Sequence, residues 1–342
     1  SGSVLFEKNA DELRAPSSMM KLMTAEVVFD AIKKGDIKLT DEYRISENAW
    51  RRGGAPSGTS TMFAAINSKV SVDDLLHGAI IPSGNDACIA LAEGIAGNEH
   101  TFATDFMTKR ARELGLTKST FANSNGLPDP GNKMTVRELG MLARHIILDF
   151  PEFYKLFGEK EFTWNKIRQQ NRNPLLNSME GADGLKTGFT CDSGYNVVAS
   201  ATRDNRRLMA IVLGESSGNE RAVRAASLLE YGFQNYDWKQ LFNSSTIDTY
   251  PMDPNFKTVM SVRDTVAAWG CGGHKRHTAG AKHRSKNKLA AKQKSAKKSD
   301  DAAADTRSSL KGPQTEDAPK AAEPAASGAA EDAKPASQAT AD

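Results

Sequence analysis

The stretch Arg14-Ala-Pro-Ser-Ser18-Met-Met-Lys21-Leu-Met-Thr24 sets a serine three residues before a lysine, at the start of an apolar helical pattern. Residues three apart share one face of a helix, so the hydroxyl of Ser18 and the amine of Lys21 are expected to meet. Ser17 is the candidate N-cap, and the positive end of the helix dipole favours a nucleophile here. A lysine can activate a serine when burial and a second cation lower its pKa, and Lys186 is the candidate for that second cation. The stretch therefore predicts a serine nucleophile with a lysine base.

Two further motifs follow the first along the chain, Ser83-Gly-Asn85 and Lys186-Thr-Gly188. Each of the three is weak alone, because helix caps and surface lysines account for most isolated copies. The Ser-x-x-Lys spacing recurs in this chain at Ser285/Lys288, Ser295/Lys298 and Ser308/Lys311. Order and context are what point to catalysis, since the first two motifs open helices and the third precedes a hairpin.

The residues around the motifs narrow the family. They read Ile80-Ile-Pro-Ser83-Gly-Asn85-Asp-Ala-Cys88 and Gly181-Ala-Asp-Gly-Leu-Lys186-Thr-Gly188-Phe-Thr190, with Phe121-Ala-Asn-Ser-Asn-Gly126-Leu-Pro and Met134-Thr-Val-Arg-Glu-Leu139 between them. The three-motif set is typical of penicillin-binding proteins and class A β-lactamases. From about Ser3 to Trp238 the chain closely resembles the D-alanyl-D-alanine carboxypeptidases, the low-molecular-mass penicillin-binding proteins of the serine DD-peptidase family.

Hydrophobic periodicity and turn residues indicate the fold class. Helices are predicted at 19–34, at 72–93 with a break at Pro82, and at 99–114, 136–147 and 219–233. Strands are predicted at 4–6, 195–202 and 206–213, and Arg203-Asp-Asn205 joins the last two as a hairpin. With the resemblance, this order predicts an α+β fold of the β-lactamase/transpeptidase type. An antiparallel sheet would be flanked by helices, with a helical lobe inserted between its strands.

The resemblance assigns roles to the second motif. Ser83 would pass a proton between Lys21 and a leaving amine, and Asn85 would hold the substrate backbone through its amide. A helix N-cap after Pro82 explains the same residues structurally, and the two interpretations are compatible.

The third motif and two other residues are expected to bind the substrate. Lys186, Thr187 and Gly188 would present a cation, a hydroxyl and a strand edge without a side chain. Arg172 matches a family arginine that binds the terminal carboxylate, and a solvated loop arginine is the alternative. The resemblance also places the oxyanion hole at the backbone N–H groups of Ser18 and Phe189.

The activity that the resemblance implies is removal of the terminal D-Ala from peptidoglycan stem pentapeptides, through an acyl-enzyme on Ser18. β-Lactams would acylate the same serine as inhibitors. No cofactor is expected, and no metal, since Cys271-Gly-Gly-His274-Lys-Arg-His277 lacks a fourth zinc ligand in a defined frame. The alternatives are a DD-endopeptidase, a β-lactamase of the same fold, and a non-catalytic cell-wall-binding protein. A β-lactamase is disfavoured because no Glu-x-x-Leu-Asn segment lies between Asn85 and Lys186.

Composition divides the chain into a catalytic domain at 1–248 and a low-complexity tail at 249–342. Residues 274–298 carry ten Lys or Arg and no acid, whereas 300–342 carry nine acids and four bases. Neither segment can bury a core, so disorder is expected. The Lys-rich segment is a candidate for attraction to an anionic wall polymer or membrane surface. The net charge of +3 is too small to imply a nucleic-acid partner.

Location is inferred from the resemblance, which implies export to the periplasm or another extracytoplasmic space. The sequence shows no apolar run of about 18 residues, so neither a membrane anchor nor a signal peptide is expected within it. In the resembled family a strand and an export signal precede the turn at Ser1-Gly2-Ser3. The N-terminal strand is therefore expected to be missing from this chain.

Overall fold

The nucleophile motif lies where a tight turn becomes the first long helix. The computed structural model describes residues 2–242, 245–251 and 259–260. Strand β1 (Leu13–Arg14) leads into a 3₁₀ turn at Ser17–Met20. Helix α1 (Lys21–Lys34) continues from the turn until Gly35 ends it at a φ of 81°. The helix predicted at 19–34 is confirmed, with its first two residues wound more tightly.

The predicted N-cap role of Ser17 is wrong. Within the described chain its side chain makes no cap hydrogen bond, and its φ of 48° is left-handed. The hydroxyl donates to the carbonyl of Pro16 at 2.6 Å and accepts from Nδ2 of Asn196 at 2.9 Å. A tertiary contact replaces the local cap, because Asn196 belongs to a strand that comes 179 residues later.

Residues 42–178, called the helical lobe below, contain helices and two short antiparallel strand pairs joined by loops. The elements are β2 (Glu42–Arg44), α2 (Glu47–Gly53), β3 (Lys69–Ser71), α3 (Val72–Ile80), α4 (Asn85–Ala96), α5 (Glu99–Thr101), α6 (Thr108–Glu113), α7 (Val136–Asp149), α8 (Pro151–Tyr154), β4 (Glu161–Trp164), β5 (Ile167–Gln170) and α9 (Leu175–Ser178). The break predicted at Pro82 separates α3 from α4. The helices predicted at 99–114 and 136–147 are confirmed, the first with a π-helical segment at Phe102–Met107 between α5 and α6.

The main sheet carries the third motif. It consists of β6 (Ala182–Thr190), β7 (Gly194–Arg203) and β8 (Arg206–Glu215), antiparallel in that order. Asp204 and Asn205 have φ values of 48° and 60°, as a type I′ hairpin turn requires. Helix α10 (Gly218–Phe242) follows and is longer than predicted. The two predicted strands and their hairpin are therefore confirmed.

Alternating side chains place the sheet between two apolar layers. Val197 and Ala199 of β7 are buried with Ala225 and Leu229 of α10, whereas Val198 joins the core of the helical lobe. The described residues thus form an α+β fold in which the sheet separates α10 from the helical lobe.

The strand predicted at 4–6 is wrong. In the described residues this part of the chain forms an isolated bridge between Ser3 and Thr246. The N–H of Val4 donates to the carbonyl of Ser245 at 3.3 Å. A cavity of about 830 Å³ lies between the segment and β8. The start of this segment thus contacts residues 245–247, and among the described strands the main sheet consists of β6, β7 and β8.

The described residues belong to one compact unit, which runs from Ser1 to His274. Strand β9 (Val259–Met260) pairs in parallel with β1, and Arg137 donates to the carbonyls of Tyr250 and Pro251 at 3.4 and 3.3 Å. The rest of the predicted tail, with its Lys-rich segment, lies outside the described residues. Within those residues, no helix combines the length and the apolar character that a membrane span requires.

Candidate active site

The amine of Lys21 is the centre of the candidate site. Its Nζ lies 2.9 Å from Oγ of Ser18, 2.7 Å from Oδ1 of Asn85 and 2.7 Å from the carbonyl oxygen of Asn125. Burial lowers the pKa of Lys21 to about 8, although nearby negative charges oppose this shift. A substantial share of this lysine is therefore neutral near pH 8, as a general base must be.

The 3₁₀ turn at Ser17–Met20, which carries the predicted nucleophile, lies against the edge of β6. Ser18 is partly exposed, whereas Ser17 is buried and held by Asn196. A Cβ at Gly188 would lie 2.3 Å from Oγ of Ser17 and 3.0 Å from the backbone nitrogen of Ser18. Glycine at 188 is therefore required for contact between the strand and the turn. The sequence had suggested a different reason for this glycine, namely the close approach of a substrate backbone.

The second motif faces the amine from the helical lobe. Ser83 is buried at a left-handed φ of 65°, and among the described residues its Oγ has no hydrogen-bond partner. Asn85 accepts from Lys21 through Oδ1 and donates from Nδ2 to Oγ1 of Thr59 at 2.9 Å. An amide nitrogen has two hydrogens, so one N–H of Asn85 is left for a ligand.

Lys186 lies in the middle of β6 and is almost fully buried. Its Nζ has no hydrogen-bond partner within the described residues. Burial lowers its pKa well below the usual value, and the charges of Lys21, Arg172 and Arg221 lower it further. The sequence predicted that Lys186 lowers the pKa of Lys21. Burial is instead the main cause of the lowered pKa of Lys21. The charge of Lys21, in turn, lowers the pKa of Lys186.

Two arginines stand near Lys186, and the sequence predicted only one of them. Arg172 is exposed, and its Nε donates to the carbonyl of Pro82 at 3.3 Å, which holds it beside the second motif. Arg221 comes from the first turn of α10, and its buried Nε has no partner in the described chain. Three basic side chains therefore lie near enough for their charges to interact at this end of the site, and such a cluster can bind an anion.

The residues on either side of Gly188 complete this edge of the site. Thr187 is buried and opposite Val197 on β7. Phe189 is 41% exposed, and its ring stacks on Tyr195 with centroids 4.1 Å apart. A cavity of about 310 Å³ adjoins Ser17 next to Thr190.

Sequence reasoning missed three residues that shape the site: Asn125, Asn196 and Arg221. Their contacts reach residues far away in the chain, such as the 104 residues between Lys21 and Asn125. None of the three belongs to one of the three motifs, although Asn125 and Asn196 lie in segments that resemble the family. In the described residues, no group of three or more His, Cys, Asp or Glu side chains could hold a metal ion.

Comparisons with known proteins agree with this arrangement. A model of peptidase family S11, D-alanyl-D-alanine carboxypeptidase, matches residues 1–217. The chain is 47% identical over 239 residues to D-alanyl-D-alanine carboxypeptidase DacC of Escherichia coli strain K12, across 69% of this chain and 60% of that protein. The chain thus spans about 60% of the length of this curated relative.

Solved structures show the same fold. Penicillin-binding protein 5 of Haemophilus influenzae superposes with a TM-score of 0.66 at 44% identity, over 68% of each chain. Penicillin-binding protein D2 of Listeria monocytogenes, in its ampicillin-bound form, gives a TM-score of 0.57 at 29% identity, over 67% of this chain and 91% of that one. These matches confirm the predicted α+β fold of the penicillin-binding DD-peptidases. With its three motifs gathered around Lys21 and its match over residues 1–217, the chain belongs to the D-alanyl-D-alanine carboxypeptidase family.

Proposed function

We propose that this chain is a serine-type D-Ala-D-Ala carboxypeptidase, which removes the terminal D-Ala from peptidoglycan stem pentapeptides. The observation that carries the proposal is the buried amine of Lys21, 2.9 Å from Oγ of Ser18, with its pKa lowered to about 8. The family description and the name of the Escherichia coli relative support the same activity.

Acylation begins when neutral Lys21 takes the proton of Ser18. Oγ of Ser18 then bonds to the carbonyl carbon of the penultimate D-Ala, and negative charge develops on the carbonyl oxygen. The backbone N–H groups of Ser18 and Phe189 donate to that oxygen, as an oxyanion hole does. The absence of a Cβ at Gly188 supports this assignment, because it lets the two segments that carry these amides approach each other.

The leaving amine needs a proton before the C–N bond breaks. Ser83 passes it from Lys21, a role that suits a buried hydroxyl whose hydrogen-bonding capacity is not used by any described residue. D-Alanine leaves and an ester remains on Ser18. Water, deprotonated by Lys21, then attacks the ester and regenerates the serine.

The terminal carboxylate of the substrate binds at the cationic end of the site. Arg172, Lys186 and Arg221 supply the positive charge, and the hydroxyl of Thr187 supplies a further hydrogen bond. The unpaired Nζ of Lys186 and Nε of Arg221 in the described chain support this assignment. Asn85 and the edge of β6 at Gly188 would hold the backbone of the stem peptide.

Rival activities of the same fold differ in their products. A DD-endopeptidase would convert cross-linked peptide dimers into monomers, whereas a carboxypeptidase releases free D-Ala from a pentapeptide. A β-lactamase would need a glutamate-activated water for rapid deacylation, and the sequence has no Glu-x-x-Leu-Asn segment between Asn85 and Lys186. A non-catalytic wall-binding protein would form no covalent adduct.

The proposal is tested by labelling the full chain with a fluorescent penicillin and mapping the adduct by mass spectrometry. We expect one adduct, on Ser18, and release of D-Ala from a pentapeptide that ends in D-Ala-D-Ala. The relative from Listeria monocytogenes was solved in an ampicillin-bound form, which supports β-lactams as inhibitors here. A folded sample without an adduct, or with the adduct on Ser17, contradicts the proposal.

Location, domain division and the tail remain parts of the proposal. A peptidoglycan substrate implies an extracytoplasmic, in many bacteria periplasmic, location. We propose that residues 1–248 carry catalysis and that the low-complexity part of 249–342 acts separately. Because residues 250–251 and β9 contact the catalytic unit, a truncation that tests this should be made after β9. The ten cations of 274–298 support attraction to anionic wall polymers or lipids, which salt would weaken in a sedimentation assay with cell walls.

A further inference from the structure

The carboxylate of Glu99 is connected to the lysine base, Lys21, through one intermediate residue, Asn125. Glu99 follows the N-cap Asn98, and its side chain is 6% exposed. Its Oε1 accepts three hydrogen bonds from a single dipeptide: from N and Oγ of Ser124 at 3.1 and 2.8 Å, and from Nδ2 of Asn125 at 3.0 Å. Its Oε2 accepts from Nη1 of Arg52 at 3.1 Å. The carboxylate therefore fixes this dipeptide from one side.

The same dipeptide contacts α1 from its other side. The carbonyl of Ser124 accepts from Oγ1 of Thr24 at 2.5 Å, and the carbonyl of Asn125 accepts from Nζ of Lys21 at 2.7 Å. Thr24 and Lys21 lie three residues apart on one face of the helix. The dipeptide is thus held between Glu99 and the helix that carries the base.

The contact with Asn125 decides how the amine is oriented. A neutral lysine has two N–H bonds and one lone pair. The oxygens of Asn85 and Asn125, at 2.7 Å each, can only accept, so each takes one hydrogen. The lone pair is then left for the hydroxyl proton of Ser18. Without a fixed carbonyl at Asn125, the amine could rotate and present a hydrogen to Ser18 instead.

We propose that Glu99 is a positioning residue for Lys21. By fixing Ser124 and Asn125, it holds the carbonyl that aims the lone pair of the amine at Ser18. The proposal rests on the proposed function, because it assigns Glu99 a part in the same acylation step. Glu99 belongs to none of the three motifs and touches neither Ser18 nor Lys21 directly.

Charge gives this role a signature that a purely structural role would lack. The groups that face Lys21 are Asp86 and Cys88 of α4, Glu99 of α5 and Lys186 of β6. The charge of Glu99 raises the pKa of Lys21, against the larger lowering by burial. Because the neutral amine is the reactive form, removal of the Glu99 charge should move the acid limb of the acylation rate to lower pH.

The test compares acylation of the full-length protein by a fluorescent penicillin from about pH 5 to 10. Glu99→Gln keeps an oxygen for Ser124 and Asn125 but loses the charge. We expect a plateau rate near that of the wild type and an acid limb at lower pH. Glu99→Ala loses the hydrogen bonds as well, and we expect its plateau rate to fall about tenfold or more, because small misplacements of reacting groups have effects of that size.

Two further variants keep the test decisive. Glu93→Gln is the matched control, because Glu93 accepts from Nδ2 of Asn48 at 2.8 Å in the same lobe and should leave both plateau and acid limb unchanged. Asn125→Ala keeps the backbone carbonyl but loses the bond to Glu99, and it should also slow the plateau. It replaces Glu99→Ala if that variant does not fold.

The outcomes separate this inference from the proposed function. Wild-type plateau and acid limb in the folded Glu99→Gln and Asn125→Ala variants would overturn the positioning role. A slower plateau in Glu99→Ala and Asn125→Ala, restored in Glu99→Gln with a shifted acid limb, would support it. A wild-type protein that penicillin does not label would overturn the proposed function itself.

Discussion

The helix side and the sheet side of the active site differ in how far their polar groups are paired. On the helix side, the amine of Lys21 has three partners and both ends of the Asn85 amide are hydrogen-bonded, and Oγ of Ser83 is the exception among the described residues. On the sheet side, Nζ of Lys186 and Nε of Arg221 are buried without a partner among the described residues. Buried polar groups are rarely left unpaired. The paired helix side therefore suits the proposed proton transfer, and the unpaired sheet side suits the proposed binding of an anion.

The largest effect on activity should come from removing the amine on the helix side of the site. Lys21→Ala removes the only proposed base for Ser18, so we expect penicillin acylation and D-Ala release to fall by about 10²–10⁴-fold or more. Stopped-flow labelling measures the acylation rate. The control is Lys33→Ala on the same helix, since Nζ of Lys33 bonds the carbonyl of Asp149 at the surface. Acylation of folded Lys21→Ala at the rate of the control would contradict the base role.

An intermediate effect should come from the unpaired side. Arg221→Gln removes one cation from the proposed carboxylate site. Hydrogen bonds to charged groups contribute about 1.5–3 kcal/mol, so kcat/KM for a peptide with a free terminal carboxylate should fall about 10- to 100-fold. The matching peptide with an amidated terminus should lose much less.

The control for this change is Arg224→Gln, one turn further along α10. Arg224 is exposed and pairs with Oε1 of Glu215 at 2.9 Å, so its loss should affect both peptides little. Equal losses on free and amidated peptides in Arg221→Gln would show that Arg221 does not recognise the carboxylate.

The smallest effect concerns the contact that joins the two sides. Asn196→Ala removes the donor to Ser17 and the acceptor of the Gly214 N–H, which lies 2.8 Å from Oδ1. Loss of buried hydrogen bonds of this kind lowers the free energy of unfolding by about 1–3 kcal/mol. Urea unfolding measures this change. Asn235→Ala, at the surface of α10, should change stability by no more than about 0.5 kcal/mol, and an equal effect of both variants would contradict the prediction.

Local patterns were enough to predict most of the fold. The helices at 72–93 and 136–147 have apolar periodicity and strong caps, as when Ser71 and Thr135 accept from the N–H groups of Asp74 and Glu138. The hairpin at 203–206 has Asp and Asn at the two left-handed positions. The hairpin of β4 and β5 was not predicted, although Asn165 and Lys166 have the same left-handed geometry. Its strands are only four residues long and mostly exposed, and β5 has a single apolar residue, Ile167.

The predictions that were wrong, and the contacts that were missed, depend on distant partners. Serine is a residue type that commonly caps helices, but the hydroxyl of Ser17 accepts a hydrogen bond from Asn196 instead. Glu99 reaches Ser124 and Asn125 across about 25 residues, and no local pattern reports such a contact. Sequence motifs therefore identified the proposed reacting groups, while the contacts that orient these groups became visible only in three dimensions.

Two serines of the site have left-handed backbones, Ser17 with a φ of 48° and Ser83 with a φ of 65°. Non-glycine residues in this region are strained by roughly 1–3 kcal/mol, and glycine would adopt it freely. A lineage selected for thermal stability alone would therefore gain by replacing Ser83 with glycine, whereas at Ser17 the loss of the hydrogen bond from Asn196 would offset the gain. At 83 that gain would remove the hydroxyl proposed to carry the proton, so activity and stability pull this position in opposite directions. Because Ser83 is strained, a single substitution at this position could raise the free energy of unfolding while it lowers catalytic turnover, in natural or in laboratory evolution.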